Sequence, residues 1–433
     1  MIVSYLNILS ESNWSVPNVA GVPEGPQGRR DLPGLGQHGP HMKIVHLVSY
    51  AVLSGPLPGV ILLARAQRQA GCAVHIVHDA WRGNFSPYEE IASADPHLAS
   101  LAAPWPMTLS AKGGPWRALW DISSLRRQIT QRGIDVLHCH LSHDHLLGIL
   151  ARPGSTALVR TVHAARAAEP RPGARWLVRH SDGIIARTPA VAEAARRLLG
   201  PASPAQVTVV PGAIDAAHWA PSTTSPARRA AWRARLGIPL DAPVLGHVAL
   251  MAERGQMELL RAFEQVWGRA RARQDGPLPH LVFVGRGYQE VPLRWAVGVG
   301  DLSRYVHFTG YVAHRRLPGL YAALDGAFVA QPGNDGAARA ALEAQAAGVP
   351  VIGVAGAPLG GALSPEAAYL APNRTPEGLA GALEQWLQDP AERRRRGALG
   401  AVQMQAGRSP AKEAAATLEV YAWAQRLRRG QPA

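Results

Sequence analysis

Residues Asn334 to Ile352 read NDGAARAALEAQAAGVPVI, and this stretch decides the fold class. An alanine-rich segment with helical character ends at Gly348 and runs directly into VPVIGVAG, an apolar stretch typical of a buried strand. The run GAFVAQPG just before it reads as another strand. A strand, helix and strand in this order indicate two parallel strands joined by a helical crossover.

The same alternation extends in both directions from this stretch. From Lys43 onward we predict the strands KIVHLVSY, AVHIVHDA, IDVLHCH, ALVRTVH, DGIIART and QVTVVPG, with helical segments between most of them. After a looser, basic passage the pattern restarts with APVLGHVAL, HLVFVGRG and YVHFTGYV. The sequence therefore predicts an α/β protein with two Rossmann-like domains that face each other across a cleft.

The length of the chain agrees with two domains, because 433 residues exceed what one core normally supports. We assign the first domain to residues 42–212 and the second to residues 240–408, with a linker over 213–239. A terminal helix is expected within 409–433, with packing back on the first domain as one expectation. Residues 1–41 read as a disordered extension, and Met42 as the working start of the fold.

Composition narrows the partners and the compartment. The formal net charge of +14 favours anionic partners, such as nucleotides, lipid headgroups or nucleic acid. No segment approaches the roughly 20 apolar residues that span a bilayer, so any membrane contact is expected to be peripheral. Cys72 and Cys139 are too few for a disulfide framework, which favours a reducing, cytoplasmic setting.

Two acids mark the opening stretch, Asp335 and, eight residues later, Glu343. If the helix begins near Gly336, its free N–H groups suit a phosphate, and Gly333 would let a ligand approach the main chain. The carboxylate at position 343 can accept hydrogen bonds from two ribose hydroxyls. Spacing alone favours the structural alternative, in which the first acid is an N-cap and the second pairs with Arg339 on a solvated face.

The cluster HCHLSHDH, from His138 to His145, raises the question of a metal site, since closely spaced imidazoles bind zinc. It lacks the order of a familiar metallohydrolase motif. Alternation along a strand places only His138 and His140 on one face. We therefore expect no metal here and interpret His140 as a strand-end residue that faces the cleft.

The passage from Asp335 through LEAQAAGVPVIG resembles the signature of the retaining family 4 glycosyltransferases of the two-Rossmann-domain (GT-B) type. In that signature an acid, seven residues and a glutamate precede an Ala-Gly-Val-Pro-Val turn and strand. The segments LVFVGRGYQ, YVHFTGYVAHRRLPGLYAALDGAFVAQPG and VVPGAIDAAHW are similar to others of the family in order and spacing, as are LHCH, RTVH and SDGIIART. The resemblance covers nearly everything from Met42 onward and is strongest between Leu281 and Gly353.

The resemblance implies roles for individual residues. Glu343 would bind the ribose of a nucleotide sugar, Asp335 would contact the transferred sugar, and Arg254 would take the place of a phosphate-binding lysine. His163 would lie near the donor sugar and donate a hydrogen bond to it; by itself, a histidine at a strand end is more often structural. The implied catalytic residues are His163, Asp335 and Arg254, and the implied substrate-binding residues are Glu343, Gly55, Gly59, His140, Gly285, Arg286, Gly333 and Gly336.

The sequence departs from the family pattern at several places, among them Gly212 and Ala213, where Asn-Gly is usual. Aspartate stands at 335 where glutamate is usual, and its side chain is one methylene shorter. Ala249 occupies the position of a partner arginine, which removes one of two expected cations near the leaving diphosphate. Pro56 and Pro58 stiffen the loop after the first strand, and each removes an N–H group from it.

Taken together, the resemblance implies an enzyme that moves a sugar from a nucleotide diphosphate-sugar to a glycan, lipid or small-molecule acceptor, with retention and without metal or other cofactor. It implies a place in cell envelope polysaccharide biosynthesis, in the cytoplasm or peripherally at the inner face of the membrane. The departures leave open a non-catalytic nucleotide-sugar-binding homologue, or a sugar-nucleotide epimerase of the same fold. Nucleic acid is not an expected partner.

Two surface features leave membrane contact open. The basic runs at Arg393–Arg396 and Arg426–Arg429 are either solvated helix faces or contacts for anionic lipid. Trp105, Trp116 and Trp120 either pack in or beside the core or contact lipid, and isolated tryptophans usually pack.

Overall fold

Two six-stranded parallel sheets organise the chain. The computed structural model describes residues 42–49, 56–78, 105, 107–110, 113–163, 168–169, 173–201, 203, 205–220, 226–274, 276–330, 338–356 and 363–431. Among these residues every ladder between neighbouring strands is parallel. The predicted α/β class with two Rossmann-like units is confirmed.

The first sheet has the strand order β2-β1-β3-β4-β5-β6. Its strands are β1 Lys43–Val48, β2 Ala73–His78, β3 Val136–Cys139, β4 Ala157–Val162, β5 Gly183–Ala186 and β6 Gln206–Val209. The accompanying helices are α1 Leu57–Gln69, α2 Gly114–Arg132, α3 Ser142–Ala151, α4 Ala174–Arg179 and α5 Pro189–Leu199. We call this unit, with the terminal helix described below, the first lobe.

The second sheet has the strand order β9-β8-β7-β10-β11-β12. Its strands are β7 Val244–Val248, β8 His280–Val284, β9 Val306–Gly310, β10 Gly326–Val329, β11 Val351–Val354 and β12 Ala368–Ala371. The helices that follow β6 are α6 Ala216–Trp219, α7 Pro226–Leu236, α8 Gln256–Arg273, α9 Glu290–Val299, α10 Leu317–Ala323, α11 Arg339–Ala346, α12 Pro376–Gln388, α13 Pro390–Gly407 and α14 Pro410–Arg428. We call the second sheet with α7 to α13 the second lobe.

Both sheets reverse their strand order at one point. In the second sheet β7 lies between β8 and β10. From β7 the chain first adds β8 and β9 on one side and then β10, β11 and β12 on the other. In the first sheet β1 lies between β2 and β3 in the same way. Ligands of open parallel sheets bind beyond the carboxyl ends of the strands at such switch points, which directs attention to the residues that follow each strand.

Several helices begin with a polar residue followed by proline. Thr188, Thr375 and Ser409 each accept a hydrogen bond from a backbone N–H in the first turn, and each precedes a proline. Asp389 does the same before α13. The side-chain oxygen satisfies an N–H that has no partner inside the helix, while proline has no N–H there to satisfy.

Close packing of Trp386 explains the glycine at the start of β10 in the second sheet. Trp386 of α12 is 1% exposed and donates from Nε1 to the carbonyl of Asp325, 3.0 Å away. A Cβ atom at Gly326 would lie 2.4 Å from that same Nε1 atom. The start of β10 therefore requires glycine because the indole lies directly against its backbone.

Helix α14 returns to the first lobe after the second lobe is complete. It packs against α1, β4 and β5, and its Arg428 donates to Asp182 over 2.8 Å. A Cβ atom at Gly183 would lie 2.9 Å from Val420. The two passages of the chain between the lobes lie together, since Ile214 N–H donates to the carbonyl of Arg408 over 2.9 Å.

The looser passage before the second sheet contains a helix that the sequence analysis left unassigned. Helix α7 packs on α10, and its Arg233 is fully buried. Arg233 donates to the carboxylate of Asp325 over 2.7 Å and to the carbonyl of Ala323 over 3.1 Å. The basic composition of this passage thus serves internal hydrogen bonding.

The run Arg393–Arg396 is also largely engaged within the protein. Arg393 donates to the carbonyl groups of Trp386 and Leu387 at the end of α12. Arg396 stacks over Tyr369, with its guanidinium carbon 4.4 Å from the ring centroid. The solvated-face interpretation of this run is therefore wrong for these two arginines. In the part of the chain described, no helix is both long and apolar enough to span a membrane.

Candidate active site between the two sheets

Three polar residues stand directly beyond neighbouring strands of the first sheet. His140 follows β3, His163 follows β4 and Arg187 follows β5. Since the strands are parallel, the three residues share one edge of the sheet. All are buried, with 2%, 6% and 4% of their surface exposed. The structure thus places His140 and His163 together at strand ends, and their roles in binding and catalysis stay predictions.

A pocket lies between the lobes at this edge. The empty space between its walls is about 260 Å³, a figure that includes open solvent at its mouth, and the walls include Gly59, His163, Arg187, Gly212, Arg339 and Glu413. Arg339 belongs to α11 of the second lobe, yet a Cβ atom at Gly59 of α1 would lie 3.4 Å from its Nη1 atom. Both lobes therefore contribute charged side chains to one cavity.

Glu343 lies next to Arg339 on the buried side of α11. Its residue surface is 6% exposed. Its carboxylate lies 3.6 Å from Arg339 Nε, 3.8 Å from His314 Nε2 and 3.5 Å from the hydroxyl of Tyr321. Burial and the nearby carboxylate both raise the pKa of Tyr321, so the phenol stays protonated. The pairing with Arg339 is present, but its predicted solvated face is wrong because the pair is buried.

The contacts of the Glu343 carboxylate are long, and two of the atoms that face it lack a hydrogen-bond partner among the described residues. Arg339 Nε and His314 Nε2 are buried, and among the described residues neither finds a hydrogen-bond partner. Buried polar groups are normally paired, so such gaps in a cleft point to a ligand that supplies the missing partners.

The loops after β7 and β8 meet at the second sheet's carboxyl edge. Ala249 N–H donates to the carbonyl of Val284, and Met251 N–H donates to that of Arg286, each over 3.0 Å. Gly285 has a φ of 128°, and a Cβ atom there would lie 2.0 Å from the carbonyl oxygen of Ala249. The close approach of Ala249 therefore explains why glycine is required at position 285, which the sequence alone did not show. The role of Gly285 in substrate binding stays a prediction.

The two predicted cations of this edge lie on these joined loops. Arg254 is half-buried, and its N–H donates to Gln256 Oε1 over 2.6 Å. Burial, with a smaller contribution from the positive charge of Arg254, lowers the pKa of His247 to about 4. Arg286 is exposed, and its Nε lies 3.4 Å from the position of a Cβ atom at Gly310.

Three histidines of the first sheet lie close enough together to suggest a metal centre. His46, His138 and His140 each offer a ring nitrogen within 4.8 Å of the others. Each of their six ring nitrogens, however, already has a side-chain hydrogen-bond partner. The donor set is thus satisfied by the protein itself, and the cluster is better described as a hydrogen-bonded network.

Several predicted residues cannot be placed. Gly55, Gly333, Asp335 and Gly336 lie outside the described residues, so their roles stay predictions. Helix α11 begins at Arg339, later than the predicted start near residue 336.

Four residues of the site were not predicted as functional. Arg187 lies near the end of the predicted strand DGIIART, and a charged residue at a strand end is a signal that could have identified it. Arg339 was named only as the structural partner of Glu343. His314 and Glu413 carry no signal in the sequence, because long-range packing brings both to the site.

Comparison with known proteins gives the family. Residues 59–218 match the model for Glycosyltransferase Family 4, and residues 228–401 match that for Glycosyl transferases group 1. The D-inositol 3-phosphate glycosyltransferase of Kineococcus radiotolerans is 34% identical over 327 residues, which cover 67% of this chain and 72% of that protein.

Two further relatives match over shorter lengths. The glycogen synthase of Mycobacterium tuberculosis is 30% identical over 63% of this chain and 59% of its own length. The 2-deoxystreptamine glucosyltransferase of Streptomyces kanamyceticus is 29% identical over 54% of this chain and 62% of its own. The chain thus spans about three fifths of these two proteins.

Solved structures agree on the architecture. Anabaena HepE, solved in complex with UDP and glucose, has a TM-score of 0.68 at 18% identity and covers 88% of this chain and 100% of its own. WaaG, a glycosyltransferase of lipopolysaccharide biosynthesis, has a TM-score of 0.62 at 14% identity. The match covers 87% of this chain and 99% of WaaG. Two parallel sheets, a pocket between them and matched models for both halves lead to one conclusion: the chain belongs to the family 4 glycosyltransferases of GT-B architecture.

Proposed function

We propose that the protein transfers a sugar from a nucleotide diphosphate-sugar to an acceptor hydroxyl, with retention and without metal. The environment of Glu343 carries this proposal. The carboxylate of Glu343 is 6% exposed, and among the described residues no donor lies closer to it than 3.5 Å, so it has hydrogen-bond capacity to spare. The vicinal hydroxyls of a ribose supply two donors of the required kind.

Three cations of the second lobe would stabilise the diphosphate in this proposal. Arg254 and Arg286 lie on loops that are hydrogen-bonded to each other, and Arg339 reaches across to the first lobe. Positive side chains stabilise the charge that develops on a leaving diphosphate. In this proposal the leaving phosphate accepts the proton of the acceptor hydroxyl, while the new bond forms on the face from which the diphosphate departs. No protein nucleophile is then needed.

The names of the relatives support a proposal for the acceptor class. Their names specify D-inositol 3-phosphate in four cases and 2-deoxystreptamine in two others, and both compounds are hydroxylated six-membered carbocycles. We propose a cyclitol or a glycan as acceptor. A membrane-bound acceptor of the cell envelope is the second candidate, because α2 exposes Trp116, Leu119 and Trp120 on one side.

Calorimetry with UDP, GDP and ADP tests the donor site. Wild-type protein should bind at least one of them, and Glu343→Gln should weaken that binding by about tenfold to a hundredfold, since hydrogen bonds to a charged group contribute about 1.5 to 3 kcal/mol. Glu384→Gln is the control, because that glutamate pairs with Arg269 on the surface of α12. Equal affinity of wild type and Glu343→Gln would contradict the proposal.

Turnover assays separate transfer from the alternatives. The donor that binds is incubated with inositol phosphates, aminocyclitols and oligosaccharides, and the product is examined by NMR. A glycoside with the anomeric configuration of the donor supports retaining transfer. An altered donor without a glycoside would show an epimerase, and tight binding without any product would show a non-catalytic homologue.

A further inference from the structure

A chain of buried, hydrogen-bonded side chains runs through the first lobe and ends at the pocket. Starting from α1, Gln67 Oε1 contacts His46 Nε2 over 2.8 Å. His46 Nδ1 contacts His140 Nε2 over 3.0 Å, and His140 Nδ1 contacts His163 Nε2 over 3.2 Å. Three side chains thus connect the interior of the lobe to His163, which lines the pocket. We call this series the imidazole relay.

The rings of the relay are neutral at neutral pH. Burial lowers the pKa of His46 to about 4 and that of His140 and His163 well below the ordinary value. A neutral imidazole has one N–H donor and one acceptor nitrogen. Each ring that donates from one nitrogen must therefore accept at the other, and the direction set at one end passes along the whole relay.

Gln67 sets that direction. Its carbonyl oxygen faces His46, so His46 donates from Nε2 and accepts at Nδ1. His140 then donates from Nε2 and accepts at Nδ1, which requires His163 to donate from Nε2. The remaining nitrogen of His163, Nδ1, carries a lone pair.

Tyr421 of α14 holds Gln67 in this orientation. The amide Nε2 of Gln67 donates to the Tyr421 hydroxyl over 3.1 Å, and that hydroxyl lies 2.6 Å from His138 Nδ1. Burial raises the pKa of Tyr421, so the hydroxyl keeps its proton. Because the hydroxyl accepts from the Gln67 amide, its proton is directed to His138 Nδ1. His138 in turn donates from Nε2 to the hydroxyl of Thr161 over 2.7 Å. Each of the three contacts in this branch then joins one donor to one acceptor.

The positive charge of Arg187 favours the same arrangement, in which His163 Nδ1 carries a lone pair. Arg187 lines the pocket with His163, and its positive charge is the largest electrostatic influence on that ring after burial. A lone pair on the pocket side is attracted by a neighbouring cation, whereas an N–H there is repelled.

We propose that Gln67 and Tyr421 are positioning residues that act through His46 and His140 to hold His163 in the Nε2–H tautomer, so that Nδ1 accepts a hydrogen bond from a ligand hydroxyl in the pocket. This polarity is the reverse of the donor role that the family resemblance implied for His163. The part that concerns the ligand rests on the proposed function. The tautomer itself is a property of the ligand-free protein.

Long-range proton–nitrogen NMR on protein with 15N-labelled histidine reads the tautomer directly. The His163 signals are identified by their loss in His163→Asn. We expect the Nε2–H pattern in wild type and in Gln67→Glu, because a carboxylate also accepts from His46. Gln67→Met keeps the size of the side chain but removes the acceptor, and His163 should then show the Nδ1–H pattern or a mixture. Gln128→Met, on the surface of α2, is the control and should leave the signals unchanged.

Kinetics test the ligand part separately. Gln67→Met should lower kcat/KM for the donor by about threefold to tenfold, the effect of one hydrogen bond, and Gln67→Glu should restore most of it. An Nδ1–H pattern in the wild type would overturn the proposal even if transfer is efficient. An Nε2–H pattern that persists in Gln67→Met would also overturn it. Confirmed tautomers without any transfer activity would instead contradict the proposed function.

Discussion

At the scale of single residues, the structure shows that Glu343 is buried with long contacts and that Gly285 is constrained by backbone packing. The sequence placed Glu343 at a helix position that could equally be solvated, and only burial with long contacts distinguishes a binding group from a surface ion pair. Gly285 was expected to bind substrate, because the family resemblance implied that role. Its nearest constraint is instead the backbone of Ala249, which approaches so closely that no side chain fits. Such contacts between loops are invisible in a linear sequence.

Gly285→Ala should destabilise the protein strongly. The added methyl group would meet the carbonyl oxygen of Ala249, and φ at this position is 128°. Overpacking together with the strained backbone should cost on the order of 2 to 5 kcal/mol. Gly298→Ala is a matched control in α9, where a Cβ atom meets nothing within 4 Å and alanine should stabilise the helix by up to about 1 kcal/mol. Chemical denaturation measures both; equal stabilities of the two variants would contradict this explanation.

At the scale of elements, apolar periodicity located most strands but not their partners. The strands were predictable because each is a short buried run bounded by turn residues. Helix α7 was not assigned because its arginines and alanines give no clear apolar stripe, and its burial depends on Asp325, far away in the sequence. The contact between Tyr421 and His138 spans 283 positions, so the part α14 plays in the first lobe could be expected only as packing.

Glu413 should anchor α14 to the first lobe. It pairs with Arg187 over 2.5 Å and accepts from Ala213 N–H over 2.7 Å, and both charged side chains are almost fully buried. Glu413→Gln leaves a buried, unpaired arginine, and we expect a loss of about 3 kcal/mol in the free energy of unfolding. Glu419→Gln, on an exposed part of the same helix, should change stability little. A melting temperature of Glu413→Gln equal to that of the wild type would show that the pair does not anchor the helix.

The exposed apolar side of α2 should contact membranes if the acceptor is lipid-linked. Trp116 and Trp120 are 73% and 64% exposed, whereas Trp105 is 6% exposed and stacks with His75. Trp116→Ser with Trp120→Ser should lower binding to phosphatidylglycerol vesicles more than tenfold, since inserting each ring contributes on the order of 1.5 to 3 kcal/mol. Trp295→Ser is the control, because that ring is equally exposed on α9 of the second lobe. Equal sedimentation of all three proteins with vesicles would argue against this surface.

At the scale of the whole molecule, buried histidines make stability depend on pH. Burial lowers the pKa of His46 and His247 from 6.5 to about 4. Between these values the unfolded chain binds more protons than the folded protein, so the free energy of unfolding falls as the pH falls. Each of the two residues should contribute about 3 kcal/mol to that loss, and below about pH 4 their contribution should level off.

Melting temperatures measured from pH 7 to pH 4 test this expectation. His247→Asn keeps a donor for the carbonyl of Phe328, which His247 Nδ1 contacts over 2.9 Å, but has no proton to gain. Its melting temperature should therefore fall less steeply with acidification than that of the wild type. His180→Asn, which changes a histidine outside the core, should follow the wild-type slope. Parallel curves for His247→Asn and wild type would refute the assignment.

The return of α14 to the first lobe also bears on how the protein is synthesised. Val420, Tyr421 and Ala424 share a core with Ile44 and Val136, residues made some 280 or more positions earlier. On the ribosome, the amino-terminal half must wait for translation of the entire carboxyl-terminal half before its own interior can close. Until then its exposed apolar surface is a natural target for chaperones, and a ribosome stalled in the last codons would leave both halves translated but one of them unfinished.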